Sequence, residues 1–106
     1  MKETTMNIVL QYFDGCPNWK DVDAHIQQLK SEGLGLNITY QLIETPEAAA
    51  EAGFRGSPTV VVDGVDPFAD PDAPVGLACR VYRTDDGYAG SPSLQQLRDA
   101  VTAASS

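Results

Sequence analysis

Residues 7–19 read NIVLQYFDGCPNW, and this stretch decides how the first part of the chain is expected to fold. Residues 7–13 are nearly continuous in apolar character, which predicts a strand buried on both faces. An Asp-Gly pair then ends the strand, because this pair favours a turn. Pro17 suits the first turn of a helix, where its missing N–H costs no hydrogen bond. Cys16 is therefore expected at the N-cap of that helix, where the helix dipole stabilises a thiolate.

The rest of the chain alternates strand and helix patterns. The first helix ends at two glycines, and strands are predicted at 36–43, at 59–62 (TVVV) and at about 79–83. Thr45 and Pro46 predict the start of a short alanine-rich helix, and residues 93–103 predict the last helix. The order β-α-β-α-β-β-α predicts one α/β domain over residues 1–106.

Composition narrows the classes of function. The net charge of −8 comes from 15 acidic and 7 basic residues, so neither nucleic acid nor an anionic membrane is an expected partner. Apolar runs are too short for a membrane span, and the N-terminal segment lacks the pattern of a signal peptide, which predicts a cytoplasmic protein. Two cysteines and one histidine predict no metal site, and a permanent disulfide is not expected in a reducing compartment.

Two local motifs in this order give the chain a resemblance to the thioredoxin-like fold. They are Cys16-Pro17-Asn18-Trp19, between the first strand and the first helix, and Ser57-Pro58-Thr59, at the start of the third strand. The resemblance covers nearly the whole chain. It implies a four-stranded mixed sheet flanked by helices, with strand order 2-1-3-4 and the third strand antiparallel to the first.

The resemblance also implies a functional site at one end of that sheet. Cys16 is similar to the nucleophilic cysteine of the family, and Pro58 to a cis-proline that faces it. The backbone of Ser57 would pair with a bound peptide, as in strand addition. Trp19 and Thr59 complete the expected substrate-binding residues, with Trp19 partly exposed beside the thiol.

Trp19 stands where dithiol members carry their second cysteine. The chain therefore resembles the single-thiol arrangement of monothiol glutaredoxins. This predicts a monothiol oxidoreductase in which Cys16 forms a mixed disulfide with a protein or small-molecule thiol or disulfide. A low-molecular-weight thiol would release it as co-substrate, with no other cofactor.

Cys79 is the other candidate thiol, either resolving or structural. If residues 79–83 form a strand paired with the third strand, Cys79 lies at its far end, roughly 16 Å from the site at about 3.3 Å per residue. A disulfide requires Cα atoms within about 7 Å. A bond between Cys16 and Cys79 is therefore not expected, and a structural thiol is the favoured interpretation.

Two other functions stay open. The chain could be a binding module in which the Ser57–Pro58 edge holds a partner and Cys16 is incidental. It could also capture a soft metal or an organomercurial through thiolates. The 63-residue separation of Cys16 and Cys79 is similar to that in organomercurial lyases, although Trp19 replaces the aspartate that those enzymes carry.

Overall fold

The computed structural model describes residues 6–69, 75–85 and 87–104, and within them the chain is an α/β protein, as expected. Its elements in chain order are β1 (Met6–Tyr12), α1 (Trp19–Ser31), β2 (Leu36–Leu42), α2 (Pro46–Ala52), β3 (Thr59–Val62), β4 (Tyr82–Thr84), β5 (Gly87–Ala89) and α3 (Leu94–Ala104). Residues 64–78 contain three prolines and little periodicity, which predicts a long loop. The centre of this stretch, residues 70–74, lies outside the described residues.

A mixed sheet in the order β2-β1-β3 forms the centre of the described structure. β1 runs parallel to β2, with Met6 opposite Leu36, and antiparallel to β3, with Leu10 opposite Val60. The parallel pair requires a crossover connection, which α1 supplies. The Asp63-Gly64 pair after β3 predicts a tight turn, and this turn is present, with positive φ at both residues.

One face of the sheet carries the main core. Its buried residues come from the sheet and from helices α1 and α3: Met6, Ile8, Leu10, Leu36, Val60, Val62, Val22, Ile26, Leu29, Leu97 and Val101. On the opposite face of β1, Asn7 is exposed and Val9 and Gln11 are only half-buried. The prediction that β1 is buried on both faces is therefore wrong, because both long helices pack on the same side.

Local rules set most helix ends. The Thr45 side chain accepts a hydrogen bond from the Ala48 N–H at 3.0 Å, and Gly53 ends α2 in the left-handed conformation. Before α3, the Ser93 and Gln96 side chains each bind the other's backbone N–H, at 3.1 and 2.9 Å. These are the ends that the sequence predicts.

Helix α1 begins later than predicted. Its N-cap is Asn18, so Cys16 lies two residues before the N-cap. Pro17 and Asn18 form a turn instead, in which Pro17 accepts a hydrogen bond from the Lys20 N–H at 3.1 Å. The Asn18 side chain makes no capping bond.

The predicted fourth strand is also corrected. Within the described residues β4 pairs with β5 as a separate antiparallel hairpin, and the central sheet keeps three strands. Cys79 lies before β4 and forms only an isolated parallel bridge with Ser57. The segment around Cys79 contacts β3 through the Arg80 side chain and does not pair with β3 in a continuous ladder of backbone hydrogen bonds.

None of the helices in the described ranges combines the length and apolar character that crossing a membrane requires.

Candidate functional site

A disulfide joins Cys16 to Cys79 and defines the candidate site. Cys16 follows the turn after β1, and its N–H donates to the Phe13 carbonyl at 3.0 Å. Cys79 lies on the segment that leads into β4. The two Cα atoms are 5.7 Å apart, within the usual range for a disulfide. The prediction that these cysteines do not bond is therefore wrong.

Two backbone hydrogen bonds bring Cys79 to the end of the sheet where Cys16 lies. The Ser57 N–H donates to the Ala78 carbonyl at 2.7 Å, and the Arg80 N–H donates to the Ser57 carbonyl at 2.8 Å. These two bonds fix Cys79 directly beside Ser57, which is at the same end of the sheet as Cys16. The sequence-based estimate placed Cys79 at the opposite end because it assumed a strand paired along the whole of β3.

Glycine at position 56 permits this close approach. A Cβ built on Gly56 would lie 3.0 Å from Cβ of Arg80 and 3.2 Å from the Ala78 carbonyl oxygen. Gly56 also has φ +121°, which side chains rarely adopt. A larger residue there would push the Cys79 segment away from Ser57.

The Arg80 side chain anchors the segment that carries Cys79 to β3 and the loop after it. It is only 8% exposed and forms an ion pair with Asp66 at 2.8 Å. It also donates to the Thr59 hydroxyl at 3.3 Å and to the Phe68 carbonyl. Its guanidinium carbon lies 4.7 Å from the centre of the Tyr82 ring. Arg80 therefore ties the segment that carries Cys79 to β3 and to the loop after β3.

A second attachment lies just before Cys79. The Gly76 N–H donates to the Phe54 carbonyl at 3.0 Å. Leu77 packs against a small buried cluster that includes Ile43 and Phe54. Residues 76–80 are thus held at both ends, with Cys79 between the two attachments.

The Ser57-Pro58 peptide bond is cis, as expected from the resemblance. Both residues are buried, and the Thr59 hydroxyl donates to the Gly56 carbonyl at 2.7 Å. The Tyr82 hydroxyl donates to the Pro58 carbonyl. Burial raises the pKa of Tyr82 well above its usual range, so this donor stays protonated at neutral pH.

The two cysteines of the disulfide have different environments. Cys16 is fully buried, with 0% of its surface exposed, whereas Cys79 is exposed. The Asn18 side-chain amide donates toward the Cys16 Sγ at 3.5 Å, and the Ser57 carbonyl oxygen lies 3.7 Å from the same sulfur. After reduction, the amide would stabilise a thiolate, and the carbonyl would accept a hydrogen bond from a thiol.

Trp19 is half-buried, in agreement with its expected partial exposure. Its ring stacks on Tyr12 at 4.5 Å between centroids, and it also packs against the main core. Phe13 packs against the other cluster, with Phe54. A substrate-binding role for Trp19 stays a prediction.

Sequence reasoning identified Cys16, Ser57, Pro58 and Thr59, and the structure brings them together with Cys79. It missed Asn18 and the Arg80–Asp66 pair. The spacing of Arg80 and Tyr82 places both side chains on one side of an extended segment, so Arg80 is buried if Tyr82 is. A buried arginine needs a carboxylate partner. Nothing in the sequence indicates which of the many acidic residues that is.

Comparison of the chain with models of known protein families gives no match, and a search of curated proteins gives no relative.

Proposed function

We propose that this chain is a thioredoxin-like thiol–disulfide oxidoreductase in which Cys16 and Cys79 cycle between a dithiol and a disulfide. The Cys16–Cys79 bond beside the cis-Pro58 loop is the observation that carries the proposal. The strand order β2-β1-β3, with β3 antiparallel to β1, supports it because the resemblance implies the same arrangement. The pair replaces the monothiol scheme that the sequence suggests, since a second thiol is within bonding distance.

The reaction transfers two electrons from the dithiol to a substrate disulfide. One cysteine thiolate displaces the first substrate thiolate and forms a mixed disulfide. The second cysteine then attacks the cysteine sulfur of that mixed disulfide, so the Cys16–Cys79 bond forms as the second substrate thiolate leaves. Two molecules of a low-molecular-weight thiol return the protein to the dithiol and become a disulfide themselves.

This scheme fits the cytoplasmic location that the sequence predicts. Disulfides in reducing compartments are usually transient and catalytic. A protein whose disulfide forms and is reduced in each cycle would therefore function there.

The binding-module alternative loses its main structural basis. It requires the Ser57 N–H and carbonyl to pair with a partner peptide. In the disulfide form both groups are already bonded within the chain, to Ala78 and Arg80. Strand addition at Ser57 would first have to displace residues 78–80.

Catalysed reduction of hydroxyethyl disulfide by glutathione tests the proposed activity. We expect turnover by the wild-type protein and at least about a 100-fold loss in the Cys16→Ser/Cys79→Ser double variant, because both sulfurs take part. Circular dichroism of the variant controls for folding. A double variant as active as the wild type would overturn the proposal, and so would a wild-type protein with no activity above the uncatalysed rate.

A second candidate function follows from the short distance between Cys16 and Cys79. The Cα atoms of Cys16 and Cys79 are 5.7 Å apart in the disulfide form. If they stay close after reduction, the two thiols could bind one thiophilic ion such as Hg²⁺, which prefers soft thiolate ligands. We expect 1:1 binding of Hg²⁺ by the reduced protein in the presence of competing glutathione, with at least about tenfold weaker binding in either single cysteine variant. Equal binding by Cys79→Ser and wild type would exclude a two-thiolate site.

A further inference from the structure

The two cysteines of the disulfide differ in their exposure to solvent. Cys16 is fully buried, while Cys79 is exposed on the same bond. Thiol–disulfide exchange requires an incoming thiolate to reach one sulfur in line with the bond that breaks, so access decides which sulfur is attacked. On the basis of the proposed redox function, we propose that Cys79 is the sulfur that exchanges with external thiols and that Cys16 is the buried leaving and resolving thiol.

The segment that carries Cys79 is fixed beside Ser57, whose carbonyl oxygen lies 3.7 Å from Cys16 Sγ. Residues 78–80 lie across Ser57 through the two backbone hydrogen bonds described above. The Arg80–Asp66 ion pair and the packing of Leu77 hold this segment on either side of Cys79. Because several of these contacts would have to break together, Cys79 does not readily move away from its place beside Ser57.

The surroundings of Cys16 also suit a leaving group. Asn18 occupies the N-cap of α1 but makes no capping bond, and its amide donates toward the Cys16 Sγ instead. A donor at 3.5 Å stabilises negative charge as it develops on this sulfur when the disulfide breaks. No external base is needed, because the thiolate itself is the product of this step.

Exchange with external thiols proceeds by two displacements at sulfur. An external thiolate attacks the Cys79 sulfur, a bond forms between these two sulfurs, and the electron pair of the Cys16–Cys79 bond leaves on Cys16. A second external thiolate attacks the external sulfur of the mixed disulfide, releases Cys79 as a thiolate and forms the external disulfide. Oxidation of the protein runs through the same steps in reverse, so Cys16 resolves the mixed disulfide at Cys79.

This assignment reverses the order that the sequence suggests, in which the mixed disulfide forms at Cys16. It also predicts that the external partner contacts residues next to Cys79. Val81 is 65% exposed and Val75 44% exposed in the same stretch of chain. Both could contact the organic part of an approaching thiol.

Peptide mapping of the mixed disulfide tests the assignment directly. Oxidised wild-type protein is mixed with limiting reduced glutathione, quenched in acidic denaturant with N-ethylmaleimide and digested with trypsin. Cleavage at lysine and arginine places Cys16 in peptide 3–20 and Cys79 in peptide 56–80. We expect at least about tenfold more glutathione on peptide 56–80 than on 3–20, because access limits exchange.

Single variants give an independent measurement. Cys16→Ser and Cys79→Ser each leave one thiol and are nearly isosteric with the wild type. We expect oxidised glutathione to modify Cys79 in the first variant at least about tenfold faster than Cys16 in the second. Thermal melts verify that both variants are folded at the assay temperature, and the wild-type experiment does not depend on either variant.

The outcomes separate this inference from the proposed function. Glutathione mainly on peptide 3–20, together with normal turnover of hydroxyethyl disulfide, would overturn the Cys79 assignment and leave the oxidoreductase proposal standing. Glutathione on peptide 56–80 without turnover would support the assignment and overturn the proposed activity. If neither peptide carries glutathione, both are wrong.

Discussion

Replacing Cys79 with serine will lower the free energy of unfolding of the oxidised protein by about 4 kcal/mol. The disulfide joins residues 63 positions apart and so closes a loop that contains α1, β2, α2 and β3. Such a cross-link restricts the unfolded chain and stabilises the folded state relative to it. For a domain of this size, the loss corresponds to a fall in Tm of about 15 °C or more.

Denaturant unfolding of four samples measures this effect: wild type and Cys79→Ser, each with and without a strong reductant. Reductant should lower the free energy of unfolding of the wild type by about 4 kcal/mol and leave that of the variant unchanged. The reduced wild type and the variant should unfold at nearly the same denaturant concentration, because serine preserves the size of the side chain. Equal stability of oxidised and reduced wild type would contradict the prediction.

The Arg80→Met substitution will cost about 3 kcal/mol in the free energy of unfolding. The Arg80 side chain is 8% exposed, and that of Asp66 is 22% exposed. Removing the cation leaves the Asp66 carboxylate without its partner in a partly desolvated position, and it leaves the Phe68 carbonyl without the Arg80 donor. Because methionine retains much of the apolar volume of arginine, the loss reports mainly on charge and hydrogen bonding.

Arg98→Met provides a matched control on a more exposed ion pair. Arg98 binds Glu32 at 2.7 Å, but both side chains are 33% exposed, so solvent screens their attraction. This variant should lose much less stability than Arg80→Met. A double-mutant cycle completes the test: Arg80→Met combined with Asp66→Asn should cost less than the sum of the two single changes. Equal losses at Arg80 and Arg98, or an additive cycle, would contradict a coupled buried pair.

The local parts of the fold were predictable because a few neighbouring residues determine them. Thr45 caps α2 by a bond to a residue three positions on, and Ser93 with Gln96 caps α3 in the same way. The nearly continuous apolar run of residues 7–13 identified the strand but not how many of its faces are covered. That depends on which side of the sheet the long helices occupy, which strand periodicity does not encode.

The candidate site was predictable in part for the same reason. Cys16 follows a buried strand, and Ser57-Pro58 precedes another, so a resemblance based on local motifs was enough to place them together. Cys79 was misplaced because its position depends on Gly56, which lacks a side chain, and on the Arg80–Asp66 pair. Contacts between residues so far apart in the chain leave no periodic pattern in the sequence.

The sequence by itself determined the α/β class, the strand–turn–cysteine junction at Cys16 and the capped helix ends, since these follow from short-range propensity and hydrogen bonding. Only the tertiary structure decided that Cys79 is the partner of Cys16 and that it is the exposed half of the pair. The physical reason is that burial and sulfur–sulfur proximity are set by long-range packing of residues 76–80 against Ser57 and the Arg80 cluster.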